Sequence, residues 1–384
     1  MRRILRFHTA DPATRRGDRL RAGHRRAGGR EGLEEAQRYP QDFNGILSGS
    51  PGLDTPGIVG LLFPWLIQSD TAPGGAEILT SEKLPALHAA VLAACANHDG
   101  VIVDPRACTF NPASIECRPE VDDAACLTPA QVAVVRRFYL GPTDAAGKSL
   151  YDGGIPYGSE LAWQSWIVMP AGDAAWPEDT FAYQTSVNYL RYMGFYPNPP
   201  SSFSPYSVQF TDAYFQRMQR FADLYNAADP DLSQFRRDGG KLIIYQGWED
   251  QPATPWDALH YYAAVERTAG GYSQSQAFSR LYMIPGGYHC LSGGDPAVTV
   301  DLLTPLVNWV EHGSAPAAIN VAVTSQTSGN HIASLTVVPF DAAAPAPVNQ
   351  GLNSGYRYIG IRSTYEPRQT WCTQEGFTLA CKRS

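Results

Sequence analysis

The second half of the chain alternates between short apolar runs and helix-like stretches, and this alternation restricts the possible folds more than any other feature. Residues 241–245 (KLIIY) predict a fully buried strand, and a helix is expected over residues 256–268. A second apolar run at 279–284 (SRLYMI) precedes another expected helix at 298–312. Strands and helices in this order are typical of an α/β fold with a parallel sheet.

Two polar side chains follow these strands. The first strand runs into the acidic stretch Gly-Trp-Glu-Asp, which ends at Asp250, and the second runs into Pro-Gly-Gly-Tyr-His, which ends at His289. Functional groups of parallel sheets gather at the carboxyl ends of the strands. An acid followed by a histidine is the second half of a Ser…Asp…His order, in which the carboxylate orients the imidazole. We therefore predict Asp250 and His289 as the acid and base of a hydrolase.

Simpler alternatives exist for both assignments. His289 could be a loop histidine that bonds only to backbone. Two neighbouring carboxylates compete with Asp250: Glu249 could be the acid or a solvated neighbour, and Asp257 is expected to begin the next helix.

The nucleophile should stand on a glycine-rich bend of the form G-x-S-x-G before a helix. A helix is predicted over residues 30–37, and the preceding residues 24–29 read HRRAGG. The glycines that follow the bend are present, but Arg26 stands where the serine is required, and a guanidinium cannot attack an ester. Ser48 and Ser50 come only after the next predicted strand and are expected to be structural.

The composition indicates a globular protein: 44% of residues are hydrophobic and 17% are charged. With a net charge of −7 we expect no nucleic-acid partner, and without an apolar run of about 18 residues we expect no membrane partner. Residues 1–30 nevertheless contain ten arginines, which leaves a basic nucleic-acid-binding arm as an alternative. We interpret residues 1–26 as a non-native or disordered Arg-rich segment without a visible secretory signal.

Six of the seven cysteines form close couples in the sequence, a pattern typical of local disulfides in an oxidising compartment. Zinc is the alternative, but no couple has CxxC spacing. The predicted couples are Cys95 with Cys108, Cys117 with Cys126, and Cys372 with Cys381. Cys290 is left without a partner.

Several motifs in a fixed order resemble the tannase and feruloyl esterase family, which includes mono(hydroxyethyl) terephthalate hydrolases. These motifs are AGGREGLEEAQRYPQDFNGI (27–46), DGVIVDPRACTFNPASIEC (99–117), CLTPAQ (126–131), LRYMGF (190–195), GGKLIIYQGWED (239–250), GGYHC (286–290) and LVNWVEHGSAP (306–316). The resemblance implies an α/β-hydrolase core, incomplete at its start, that acts on aromatic carboxylic esters and is secreted or periplasmic. The core would comprise residues 27–53 and 236–384, with a large inserted lid at 54–235.

The family's bend reads Gly-Cys-Ser-Thr-Gly-Gly-Arg, which places its cysteine at Arg25 and its nucleophile at Arg26. The backbone N–H of Ala27 would then belong to the oxyanion hole. In the family that cysteine is bridged to the one after the catalytic histidine, here Cys290. We therefore expect residues 1–26 to be out-of-frame translation and the chain as given to be inactive. The alternative is a catalytically silent module that binds phenolics or partner proteins.

The resemblance also implies features of the lid. Its aromatic side chains would stack on a phenolic acyl group or else pack in the core; the candidates are Trp163, Trp166, Tyr183 and Tyr189. A structural Ca²⁺ is common in the family, and here only Asp99 and the Val101 carbonyl match its ligands. No other cofactor is expected.

Overall fold

The computed structural model describes residues 4–7, 28–293, 296–325, 328–344, 370–375 and 378–383, and it gives the backbone alone for 4–7 and for the two segments after 369. Its central sheet has four parallel strands in the order β1-β2-β3-β4. They are β1 (Ile4–Phe7), β2 (Gly45–Gly49), β3 (Lys241–Gly247) and β4 (Ser279–Ile284). The predicted α/β fold with a parallel sheet is confirmed.

Side chains of β3 alternate between two apolar layers, as strand geometry requires. Leu242 and Ile244 lie in a cluster with α1, α10 and the residues inserted after β2, whereas Ile243 and Tyr245 lie in a cluster with α12. The sheet is therefore covered on both faces, which explains why its strands are apolar along their whole length.

The described residues contain twelve α-helices, numbered in chain order. They are α1 (Gly28–Arg38), α2 (Thr55–Gly57), α3 (Phe63–Ser69), α4 (Leu84–Cys95), α5 (Pro129–Leu140), α6 (Phe181–Tyr192), α7 (Asp212–Gln219), α8 (Ala222–Tyr225), α9 (Ser233–Arg237), α10 (Pro255–Ala269), α11 (Tyr272–Ser275) and α12 (Leu303–His312). None of the helices in the described part of the chain combines the length and the apolar character that a membrane span needs.

Residues 54–235 are inserted between β2 and β3, which are adjacent strands of the sheet. We call them the inserted region; their role as a lid stays a prediction. The residues Thr-Pro-Ala-Gln at 128–131 have the pattern of a capping box and predict a helix over residues 130–139, which is present as α5. Its start has the predicted capping box, in which the Thr128 side chain accepts from the Gln131 N–H and the Gln131 side chain accepts from the Thr128 N–H.

Two parts of the sequence-based prediction differ from the structure. The helix expected from 298 is wrong over its first residues, because Ala297–Val300 form strand β5 and α12 begins only at Leu303. The β-branched side chains at 298–300 suit a strand, and β5 pairs with a distant partner. Within residues 1–26, expected to lack native structure, Ile4–Phe7 pair with β2 as an edge strand; their run ILRF is apolar enough to extend the sheet.

The remaining strands form two small antiparallel sheets. The first has the order β5-β6-β7 and the second is a hairpin of β8 and β9. Their bounds are β6 (Ile319–Thr324), β7 (His331–Val337), β8 (Thr370–Glu375) and β9 (Thr378–Arg383). The first of these sheets covers part of the apolar layer beside α12.

Two of the predicted disulfides are confirmed, Cys95–Cys108 and Cys117–Cys126. Cross-links that close loops this short contribute on the order of 2–3 kcal/mol each on the chain-entropy model. Backbone register places Cys372 opposite Cys381, but their side chains lie outside the described part of the chain. Cys290 carries a free thiol, as expected for the cysteine left over from the three predicted couples.

Candidate active site

The Asp250 carboxylate and the His289 imidazole are in direct contact at the carboxyl ends of β3 and β4. His289 Nδ1 lies 3.1 and 3.0 Å from the two carboxylate oxygens. Asp250 is fully buried, whereas the His289 side chain is 27% exposed. The structure thus brings together the two residues that the sequence singles out, with the acid inside and the imidazole open to solvent.

Two further hydrogen bonds hold the Asp250 carboxylate in place. The Gln246 amide donates to Asp250 Oδ2 (2.9 Å), and the Ala253 N–H donates to Oδ1 (3.0 Å). The same Gln246 amide also donates to the Ala253 carbonyl (2.9 Å). The sequence did not single out Gln246, because a glutamine inside a buried strand gives no signal until its partners are known.

The loop that bears His289 is tied to the end of β2. The Cys290 N–H donates to Ser50 Oγ (3.0 Å), and the Ser50 N–H donates to the Tyr245 carbonyl (2.9 Å). The backbone at both Ser50 and Cys290 has a positive φ, which non-glycine residues adopt rarely. Ser50 therefore makes a structural contact, as expected. This contact holds the histidine loop against the end of β2.

The start of α1 meets the same edge of the sheet. Ser48 Oγ donates to the Gly29 carbonyl (2.7 Å), so the other serine also has a structural contact. Arg26 and Ala27, the predicted nucleophile and oxyanion positions, lie outside the described residues. The described helix begins two residues after Arg26.

The competing carboxylates do not contact His289 within the described structure. Glu249 is buried and turns toward the inserted region, where burial raises its pKa to about 8, nearby His88 lowers it and Glu160 raises it. Asp257 lies in the first turn of α10, where it accepts from the Tyr151 hydroxyl (2.5 Å). The geometry favours Asp250 as the acid.

The surroundings of His289 increase the basicity of its imidazole. Burial opposes the charged form, but the Asp250 carboxylate and the hydrogen-bonding Cys290 side chain outweigh it, so the pKa of His289 lies well above its usual value of 6.5. A group whose pKa is raised by folding stabilises the folded state fully below its unfolded pKa, and this contribution is lost as the pH rises through the folded pKa.

Asp250→Asn should remove this contribution. We expect the variant to be less stable than the parent chain by about 1–3 kcal/mol near pH 6, because the buried acceptor that pairs with the imidazolium is gone, and by less at strongly alkaline pH. Urea denaturation of both chains across this pH range measures the difference. A stability difference that does not change with pH would contradict the ion pair.

The calcium site at Asp99 and the Val101 carbonyl stays a prediction, and the described structure gives it little support. The Val101 carbonyl accepts from the Asn97 N–H (2.9 Å), and the Asp99 carboxylate lies 3.3 Å from His98 Nε2. The described residues contain no group of three or more His, Cys, Asp or Glu arranged to hold a metal. Calcium requires six or more oxygen ligands, so no step below involves it.

Of the four aromatic candidates for substrate stacking, three are core residues. The Trp163, Trp166 and Tyr189 side chains are buried. They form edge-to-face contacts with Phe138, Phe63 and Tyr225, respectively. Tyr183 is only partly buried, at the edge of the core. The core-packing alternative therefore describes the three buried rings.

A covered parallel sheet that carries a buried carboxylate and a contacting histidine on successive strand-end loops defines the α/β-hydrolase class. Within that class, the family model for tannase and feruloyl esterase matches residues 25–348, and the chain belongs to this family.

Curated relatives agree with this assignment. An uncharacterised esterase of Xanthomonas campestris is 32% identical over 335 residues, which cover 77% of this chain and 56% of the relative. The mono(2-hydroxyethyl) terephthalate hydrolase of Piscinibacter sakaiensis is 29% identical, with 76% of this chain and 55% of the relative covered. A probable feruloyl esterase B-2 of Aspergillus flavus is 31% identical, with 76% and 57% covered. The chain thus spans little more than half the length of these relatives.

Solved structures show the same fold. Feruloyl esterase B from Aspergillus oryzae aligns with a TM-score of 0.68 at 21% identity and covers 92% of this chain, which spans 67% of that structure. The tannin acyl hydrolase from Aspergillus niger aligns with a TM-score of 0.65 at 18% identity, with 92% and 62% covered. At these identities the likeness concerns the fold alone.

Proposed function

We propose that the chain derives from a serine-type carboxylic ester hydrolase that acts on esters of aromatic, phenolic acids, with Asp250 and His289 as acid and base. The observation that carries this proposal is the contact between His289 Nδ1 and the Asp250 carboxylate at the ends of adjacent strands. Membership of the tannase and feruloyl esterase family supports the ester substrate class.

The geometry assigns each atom a task. Asp250 accepts from His289 Nδ1, so Nε2 is the nitrogen that can take a proton from an attacking hydroxyl. The acyl group is then transferred to that hydroxyl, and His289 returns the proton to the leaving alcohol. In the second half, His289 deprotonates a water molecule that releases the aromatic acid. The His289 side chain is 27% exposed, which is consistent with contact with both reactants.

The nucleophile position, Arg26, carries no hydroxyl. We therefore expect the chain as given to hydrolyse p-nitrophenyl acetate and methyl gallate negligibly and to remain unlabelled by a fluorophosphonate, since losing such a serine costs on the order of 10⁶ in rate in a well-studied protease. Mass spectrometry of the treated chain is the measurement. Efficient labelling at any serine would contradict this assignment of the nucleophile.

A silent binding module is the second candidate, because the acid–base pair is formed although position 26 is an arginine. Saturable binding of gallate or ferulate without turnover, measured by calorimetry, would favour it. The two disulfides support an oxidising compartment, as expected for a secreted or periplasmic protein.

A further inference from the structure

A ten-residue segment of the inserted region is buried along its entire length and lies beside α10. We call residues 151–160 the buried strap. Three hydrogen bonds join it to the helix that follows the acid loop. Trp256 Nε1 donates to the Gly154 carbonyl (2.8 Å), the Tyr151 hydroxyl donates to Asp257, and Asp152 lies 2.6 Å from His260 Nδ1.

The far end of the strap carries a second buried contact between a histidine and a carboxylate. His88 Nδ1 lies 2.8 Å from Glu160 Oε2, and the other carboxylate oxygen accepts from the Tyr139 hydroxyl (2.8 Å) and from the Gly158 N–H (2.9 Å). Buried polar groups are costly unless they are hydrogen-bonded, and these three contacts satisfy both oxygens of the Glu160 carboxyl group. This end of the strap is therefore rigidly held.

Glu249 lies directly against this rigid end. A Cβ added at Gly158 would stand 2.5 Å from the Glu249 carboxyl carbon, and Gly158 has a φ of +94°. The Glu249 side chain is 3% exposed and has His88 and Glu160 as its charged neighbours. Its backbone N–H donates to the Gly287 carbonyl (3.1 Å), which belongs to the loop of His289.

Glu249 is thus connected to three parts of the structure. Its side chain packs against the strap, its N–H donates to the histidine loop, and a peptide bond joins it to Asp250. We propose that Glu249 is a positioning residue whose side chain, seated on the strap at Gly158, holds Asp250 at hydrogen-bonding distance from His289. This inference rests on the proposed function, in which Asp250 and His289 act as acid and base. The alternative is that Glu249 only fills space.

The test measures the pH midpoint for carbethoxylation of His289 by diethyl pyrocarbonate, followed by peptide mass spectrometry. The reagent attacks only the neutral imidazole, so the midpoint reports the His289 pKa, whereas altered access changes only the plateau rate. In Gly158→Ala the new methyl group pushes Glu249 away. We expect the midpoint to fall and the rate at neutral pH to rise roughly five- to tenfold, because the imidazole loses its carboxylate partner.

Gly172→Ala is the matched control, since Gly172 also has a positive φ, +75°, but nothing lies within 4 Å of an added Cβ. It should keep the parent midpoint. If Gly158→Ala fails to fold, the midpoints of Glu249→Ala and Glu249→Gln are sufficient to test the positioning role. The alanine removes the seated side chain and should lower the midpoint, whereas the isosteric glutamine should keep it.

A parent-like midpoint in both Gly158→Ala and Glu249→Ala, with a lowered midpoint in Asp250→Asn, would overturn the positioning role and leave the proposed acid–base pair intact. A parent-like midpoint in Asp250→Asn itself would overturn the pair and the positioning role together. No ester turnover enters these measurements, so an inactive chain does not affect them.

Discussion

The double substitution Arg25→Cys, Arg26→Ser is expected to make the chain reactive toward a fluorophosphonate at residue 26 and to raise methyl gallate hydrolysis by up to about 10⁶-fold over the parent chain. In the proposed function Asp250 and His289 are the acid and the base; they are already in contact, and the proposed nucleophile position has no hydroxyl. The cysteine is included because the family resemblance leads us to expect a disulfide between position 25 and Cys290.

The start of α1 and the histidine loop meet at one end of one strand, which supports this expectation. Ser48 contacts the Gly29 carbonyl and Ser50 contacts the Cys290 N–H, and both serines follow Leu47 within three residues. The hydroxyl introduced by Arg26→Ser is three residues before Gly29, and Gly29 already contacts the strand end that bonds to the histidine loop.

Two controls isolate the hydroxyl and the base. Arg25→Cys, Arg26→Ala differs from the test chain by one oxygen and should stay unlabelled, and adding His289→Ala to the test chain should abolish labelling. If the serine variant folds but is neither labelled nor active, position 26 is not the nucleophile position.

Gly29→Ala is expected to destabilise the chain by about 3 kcal/mol or more, because the added methyl group cannot be accommodated. An ideal Cβ at Gly29 would lie 2.1 Å from the Gly49 carbonyl oxygen and 3.0 Å from the Pro51 Cα, and both are backbone atoms that cannot rotate away. The small gain in helix propensity from alanine, up to about 1 kcal/mol, does not offset this clash.

Gly52→Ala is the matched control from the same strand end. Its added Cβ would meet only the Ile58 Cδ1 at 3.6 Å, an ordinary contact. We expect a change within about 0.5 kcal/mol for this variant. Urea denaturation measures both; a Gly29→Ala chain as stable as the control would show that α1 can move away from β2 at little cost.

Much of the fold is readable from local pattern. The strand at 279–284 has the predicted bounds, and the capping box at Thr128 marks the start of α5 one residue before the predicted helix. The Asp250–His289 contact follows from topology, because loops after adjacent parallel strands meet at one edge. These features depend on residues that are near in sequence or on a general rule of sheets.

The misplaced start of α12 and the buried strap depend instead on distant partners. The 297–300 segment is a strand because 321–324 pairs with it, which no local pattern reveals. Residues 151–160 read as a Gly- and Pro-containing loop, and their buried carboxylates find histidines 108 and 72 positions away. Burial of such a segment becomes apparent only once these partners are placed.

Because β2 and β3 are parallel, the inserted region leaves the sheet at the carboxyl end of β2, after Gly49, and returns at the amino end of β3, where Lys241 pairs with Gly45. Each doubling of a closed loop adds only about 0.6 kcal/mol of closure entropy. The inserted region can therefore change in length and sequence during evolution at little cost in stability. The strand ends that carry Asp250 and His289 keep their geometry. The inserted region and the edge that carries Asp250 and His289 are therefore separately variable parts of one polypeptide.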